Sequence, residues 1–176
     1  SLNPSLGTFV LGDSCEPKDT MGILSRCRDS RLEIIQKLKM KNPTSTIHTL
    51  DDGTDISDLN ASEIELYKGT LRNRDLLKRA LSELEKEELS HESIGQLLSD
   101  HHQVLRDVLQ VSTPKIETMM DAASNAGALG GKINGSGGGG CMFAYAPNNP
   151  EHVAEAIEKA GGKAYIIQQD EGTRIN

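Results

Sequence analysis

The sequence has few cysteines, too little positive charge and no long apolar run, and each shortage excludes something. Its three cysteines, Cys15, Cys27 and Cys141, are odd in number, far apart and without a C-x-x-C pair, which argues against a disulfide framework or a zinc knuckle and for a reducing cytoplasm. Lysine and arginine total 19 against 26 acidic residues, a net charge of -7. There is thus no electrostatic reason to expect nucleic acid or an anionic membrane as a partner. No apolar stretch approaches the roughly 20 residues of a membrane-spanning helix, and Ser1-Leu2-Asn3-Pro4 lacks the basic-then-apolar character of a signal peptide. What is present is ordinary for a soluble globular protein: 176 residues, 36% hydrophobic and 26% charged, a length that fits one domain over 1–176. Nothing in it indicates an oligomeric state.

Apolar periodicity orders the chain. "GTFVLGDS" (7–14) reads as a strand bounded by turn-forming residues. From Thr20 to Lys41, Ile23, Leu24, Cys27, Ile34, Ile35 and Leu38 recur at helical spacing, with a break expected near Asp29-Ser30, and Pro43 closes the segment. Residues 49–60 are polar loop, after which Asn60 and Glu63 have the spacing of a capping box. Residues 61–127 carry no strand signal and read as three helices, the last opened by Thr113 with Pro114 at its first position, where proline's missing donor costs nothing. Then come "KIN" (132–134) and "CMFAYA" (141–146), a helix over 149–162 that starts at Pro150, and a last strand at 163–167. With 61–127 set aside as a helical insert, the order is βαββαβ. The expected fold is α+β: a ferredoxin-like, four-stranded antiparallel sheet with helices on one face, the insert adding a helical layer.

The most unusual stretch is "GSGGGG", Gly135, Ser136, Gly137, Gly138, Gly139 and Gly140, which is expected to join the two central strands. Glycine in a regular element costs roughly 0.5–1 kcal/mol relative to alanine, so such a run points to positive φ angles or to something that approaches the backbone closely. The letters satisfy G-x-G-x-x-G, yet that fingerprint needs a helix after the loop, whereas "CMFAYA" has strand character. A Walker A loop fails as well, because no Gly-Lys-Ser/Thr closes the run. A small-residue loop with several backbone N–H groups remains, able to form an anion-binding concavity; a plain glycine hairpin is the alternative.

"DHHQVLRDVLQVSTPKIETMMDAA" (100–123) and "GALGGKINGSGGGGC" (127–141) together resemble the C-terminal domain of the GHMP small-molecule kinases, most closely galactokinases. The resemblance rests on His102, Leu105, Arg106 and Asp107, then Val111 and Ser112, then Gly127, Gly130, Lys132, Gly135 and Cys141. The opening "FVLGDSCEPKDT" (9–20) is similar to the strand and turn that begin this domain. Asn134 stands where galactokinases usually have threonine, and the glycine run is closer to those of mevalonate and heptose-phosphate kinases.

The resemblance implies a whole protein that transfers the γ-phosphate of ATP to a sugar hydroxyl. ATP and Mg²⁺ would be held mainly by an N-terminal kinase domain whose nucleotide loop and catalytic aspartate are absent from these 176 residues, so no catalytic residue is expected here and the chain alone should be inactive. It further implies that residues 135–140 position phosphate or substrate, and that Lys18, Asp19 and Thr20 face the acceptor. For Ser136 and for these three, a satisfied or solvated turn is the structural alternative. Asp100, His101 and His102 are not a metal site, because adjacent helical residues point about 100° apart. His102 is expected to be a buried or half-buried hydrogen-bonding residue that orders the insert. A ferredoxin-like module that binds a small ligand without catalysis is the other class of function, and the helical insert favours the kinase.

Overall fold

A computed structural model describes residues 4–18 and 20–170. Strand β1 (Thr8–Asp13) is followed by helices α1 (Thr20–Lys41), α2 (Ala61–Leu84), α3 (His91–Gln103), which runs on into a π-turn (Val104–Val108), and α4 (Pro114–Asn125). Strands β2 (Gly130–Ile133) and β3 (Cys141–Tyr145), helix α5 (Pro150–Lys159) and strand β4 (Lys163–Gln168) complete the order. The sheet runs β2-β3-β1-β4 with every pair antiparallel, the ferredoxin-like arrangement.

Alternation along the strands sends one set of side chains to a single face. Val10 pairs with Ala144, and Ile133 with Met142, and all four are at most 1% exposed. They meet Ile116, Met119 and Ala123 of α4 and Val153 and Ile157 of α5 in one cluster. Truncating a residue such as Ile116, fully buried there, should cost about 2–5 kcal/mol. The helix beside α5 is therefore α4, which lies inside the stretch expected to be the insert, and the outer layer is α1 and α2. Helix α1 reaches the sheet core only through half-buried Ile23 and Cys27. Its Ile34 and Leu38 belong to a second cluster with Leu50, Leu59, Tyr67 and Leu71.

Two smaller expectations also change. Helix α1 is unbroken at Asp29-Ser30, and β2 is an edge strand, so the glycine run joins an edge strand to an inner one rather than two inner strands. The helix starts form as read. Asn60 accepts from the Glu63 N–H while the Glu63 carboxylate accepts from the Asn60 N–H, and Thr113 accepts from the Ile116 N–H ahead of Pro114. Helix α3 lies against β2 because Gly95 and Gly130 meet there: a Cβ on either would run into the facing main chain. That contact brings the end of α3 to the end of β2, just before the glycine loop. No described helix is long and apolar enough to cross a membrane.

Candidate active site

Five of the six loop residues, Gly135 and Gly137 to Gly140, have φ between 72° and 107°, a region closed to most side chains. The loop is fastened by three backbone bonds. Asn134 N–H donates to Cys141 O at 2.8 Å, Gly138 N–H to Val111 O at 2.7 Å, and Ser14 N–H to Gly140 O at 2.8 Å. Gly137 lies so close to Val111 that a Cβ would overlap it. The N–H groups of Gly135, Ser136 and Gly139 find no acceptor among the described residues.

The segment after β1 folds over this loop. Cys15 adopts φ 58°, with its N–H held by the Asp13 carboxylate at 2.9 Å, and the chain turns so that Lys18 lies across the glycines. A Cβ on Gly140 would overlap the Lys18 side chain, and one on Gly135 would stand 3.6 Å from its ammonium. Ser136 Oγ is 3.4 Å from Thr20 Oγ1 and 3.4 Å from Gly137 O. Glu16 is engaged elsewhere, accepting from Thr113 Oγ1 at 2.6 Å. Burial and the nearby Asp13 push the Cys141 thiol upward, against a smaller opposing pull from Lys18, which leaves a poor nucleophile.

The structure thus gathers Lys18, Thr20 and the whole of 135–140 into one place; Asp19 lies outside the described residues. Backbone donors in a left-handed loop beside an ammonium suit an anion with several oxygens, such as a phosphate. Among the described residues no group of three or more His, Cys, Asp or Glu side chains is placed to hold a metal ion.

Sequence reasoning missed Glu117. It sits in the first turn of α4, where a glutamate reads as a favourable partner for the helix dipole. It is the centre of a half-buried network. Its Oε1 accepts from Ser112 Oγ and lies 2.9 Å from His102 Nε2, and its Oε2 accepts from Arg106 Nη1 at 3.2 Å. Burial pushes this carboxyl upward, but the Ser112 hydroxyl, His102 and Arg106 outweigh it and hold Glu117 below the usual range. His102 is buried as expected, at 5% exposure, and burial holds its imidazole below the ordinary value even beside Glu117. Its partners are Glu117 of α4, within the stretch 61–127 that it is expected to order, and the Ile133 N–H of β2.

Comparison with known proteins bears on this arrangement. A family model described as GHMP kinases C terminal matches residues 74–165. A mevalonate kinase of Thermococcus gammatolerans is 49% identical over 96 residues, covering 54% of this chain and 28% of that protein. A galactokinase of Clostridium perfringens is 33% identical over 138 residues, covering 70% of this chain and 35% of that protein. The chain therefore spans roughly a third or less of these relatives. Among solved structures, Lactococcus lactis galactokinase complexed with galactose superposes with a TM-score of 0.74 at 18% identity, over 94% of this chain and 45% of that one. L. major mevalonate kinase in complex with R-mevalonate gives 0.58 at 19% identity, over 92% of this chain and 42% of that one. At such identities the two structures speak for the fold alone.

Proposed function

Since the chain belongs to the GHMP kinases, as their C-terminal part, we propose that the whole protein is an ATP-dependent kinase that phosphorylates a hydroxyl of a small molecule, with a galactose-type sugar as the acceptor. The observation that carries the reading is the loop: glycines at positive φ, uncommitted N–H groups and the Lys18 ammonium laid across them. Phosphoryl transfer asks a protein mainly to position oxygens and to stabilise the charge that develops on them. In this reading the N–H groups of 135–140 and Lys18 hold phosphate or acceptor oxygens, Thr20 and Ser136 orient the acceptor, and ATP with Mg²⁺ supplies the transferable phosphoryl group. An N-terminal domain, the proposed partner of this chain, binds the nucleotide and completes the site. Three free thiols, one of them exposed, fit a reducing compartment such as the cytoplasm.

The sugar is favoured by the galactokinase relative, whose similarity covers more of this chain. Mevalonate is the second acceptor, favoured by the higher identity of the mevalonate kinase and by the glycine run 135–140, which resembles those of mevalonate kinases. ADP release by the full-length protein, measured with galactose, fucose, mevalonate and heptose phosphates, decides between them. Turnover with galactose and not mevalonate is expected; the reverse overturns the sugar, and no release with any of them overturns the kinase. The 176-residue chain by itself should melt cooperatively and phosphorylate nothing.

A further inference from the structure

The glycine loop has almost no side chains with which to hold its own shape, so its geometry must be imposed from outside. Two of the places where that happens are joined by one half-buried network. Ile133 ends β2, and because β2 is an edge strand, an outward-facing N–H there has no strand partner. It donates instead to His102 Nδ1 at 3.2 Å. His102 Nε2 is 2.9 Å from Glu117 Oε1, and that same oxygen accepts from Ser112 Oγ. Ser112 adjoins Val111, whose carbonyl holds Gly138. The start of the loop and its middle are therefore tied through a single carboxylate.

The bonds also fix the state of the ring. Nδ1 accepts from Ile133 N–H, so it carries no proton; Nε2 then carries it and donates to Glu117. Protonation would set a second donor against the Ile133 N–H and break that bond. The charged and titratable groups around His102 are Glu117 from α4, Arg106 and Asp107 from the π-turn, Lys132 from β2 and His101 from α3. Glu117 and, more weakly, Asp107 favour the imidazolium, and burial outweighs them.

We propose that His102 and Glu117 are positioning residues for the glycine loop, fixing Ile133 before it and Val111 beneath Gly138, with neutral Nε2–H His102 as the working form. This rests on the reading of 135–140 as the phosphate-positioning loop. A network that only knits α3 to α4 would leave the loop indifferent to which ring nitrogen is lost.

The test uses the full-length protein with His102→Asn and His102→Gln. The asparagine amide oxygen stands where Nδ1 stood and still accepts from Ile133; the glutamine amide reaches Glu117 but abandons the Ile133 N–H. Hydrogen exchange is read on peptides spanning 130–141, alongside kcat, KM for ATP and the pH profile. For His102→Gln, exchange in these peptides should quicken about 10-fold or more and kcat fall about 10-fold, with KM changed less than about 3-fold, as expected for a buried donor left unpaired. His102→Asn should stay within about 3-fold of wild type in both, and its profile should lack the acid limb that His102 protonation gives the wild type.

Equal exchange in the two variants, or unchanged exchange in His102→Gln, overturns the proposal. If His102→Gln does not fold, Ser112→Ala serves: faster exchange around Gly138 is expected, and an unaltered rate there overturns it. Exchange is read without turnover, so a wild type that phosphorylates nothing refutes the kinase reading while the exchange result still judges the positioning network.

Discussion

Two loops of this chain solve the same problem in opposite ways. Residues 42–60, between α1 and α2, serve their own donors with short polar side chains. Thr44 N–H donates to the Asn42 side chain at 3.2 Å, Thr46 N–H to Thr49 Oγ1 at 2.8 Å, Asp51 N–H to Thr54 Oγ1 at 3.1 Å, and Gly53 N–H to the Asp51 carboxylate at 3.0 Å. Ser57 N–H donates to the Asp55 carboxylate at 3.0 Å, and Tyr67 OH closes the loop on Asp51 O at 2.6 Å. This is the turn chemistry expected of Asn, Asp, Ser and Thr. The loop at 135–140 has only Ser136 for such work and takes its bonds from Ser14, Val111 and Cys141. One loop is held together largely by its own side chains. The other keeps donors in hand, which is what an anion-binding loop requires.

The sharpest way to break this contrast is Gly138→Val in the full-length protein. Gly138 has φ 72°, and a β-branched residue there is strained by roughly 1–2 kcal/mol, which for a protein of this size lowers Tm by only a few degrees. If the loop handles phosphate, kcat/KM should fall about 100-fold or more. Near wild-type kcat/KM in a folded variant would mean that the bare backbone is there for the turn alone. Lys18→Met comes next. Loss of one charge-assisted contact predicts a drop in kcat/KM of about 10-fold or more, with Tm nearly unchanged. A methionine variant as active as wild type would remove the ammonium from the site.

The sequence made the two loops legible to different depths. Composition alone exposed the glycine run, because nothing else in the chain concentrates bare backbone, and the caps at Asn60 and Thr113 could be read because they are local. Which helix covers the sheet could not. Helices α1 and α4 are both amphipathic, and the stripe on α1 serves two cores, Ile23 and Cys27 turning to the sheet while Ile34 and Leu38 turn away. A periodicity records that a face is buried and not against what. Glu117 escaped for a related reason: its partners His102, Arg106 and Ser112 come from the end of α3, the π-turn and the link before α4, and no spacing in the sequence joins them.

Acid should separate the two loops more gently. Burial holds His102 below its ordinary value, so its contribution is present above the unfolded value near pH 6.5 and is lost as pH falls through the folded one. Glu117, also depressed, adds a loss below about pH 4.5. Around residues 42–60 the depressed groups are Asp55, held down by the Ser57 N–H and Lys41, and Glu63, held down by Lys37 and the Asn60 N–H. These give way only below about pH 4. Once the intrinsic fall of amide exchange with pH is divided out, protection in peptides 130–141 should therefore drop between pH 6.5 and 5 while that of peptides from 42–60 holds steady. Parallel behaviour of both loops would show that His102 does not set the difference.

The smallest effect is expected at the self-contained loop, and it tests the other half of the contrast. Asn60 closes residues 42–60 and opens α2: its Oδ1 accepts from Glu63 N–H at 3.0 Å and Ser62 Oγ at 2.7 Å, and its own N–H donates to Glu63 at 2.9 Å. Asn60→Ala removes the cap, at a cost of about 1 kcal/mol or roughly 2–4 °C in Tm. The damage should stay where it is made. Residues 42–60 and the start of α2 pack on the outer cluster of Leu50, Leu59, Tyr67 and Leu71, which shares with the sheet core only the half-buried Leu66. Melting should therefore fall while kcat/KM stays within about 2-fold of wild type, because distant sites without shared partners act independently. A 10-fold loss of kcat/KM at a temperature where Asn60→Ala is folded would mean that the outer helices transmit their state to residues 135–140, and the two loops could no longer be treated as separate.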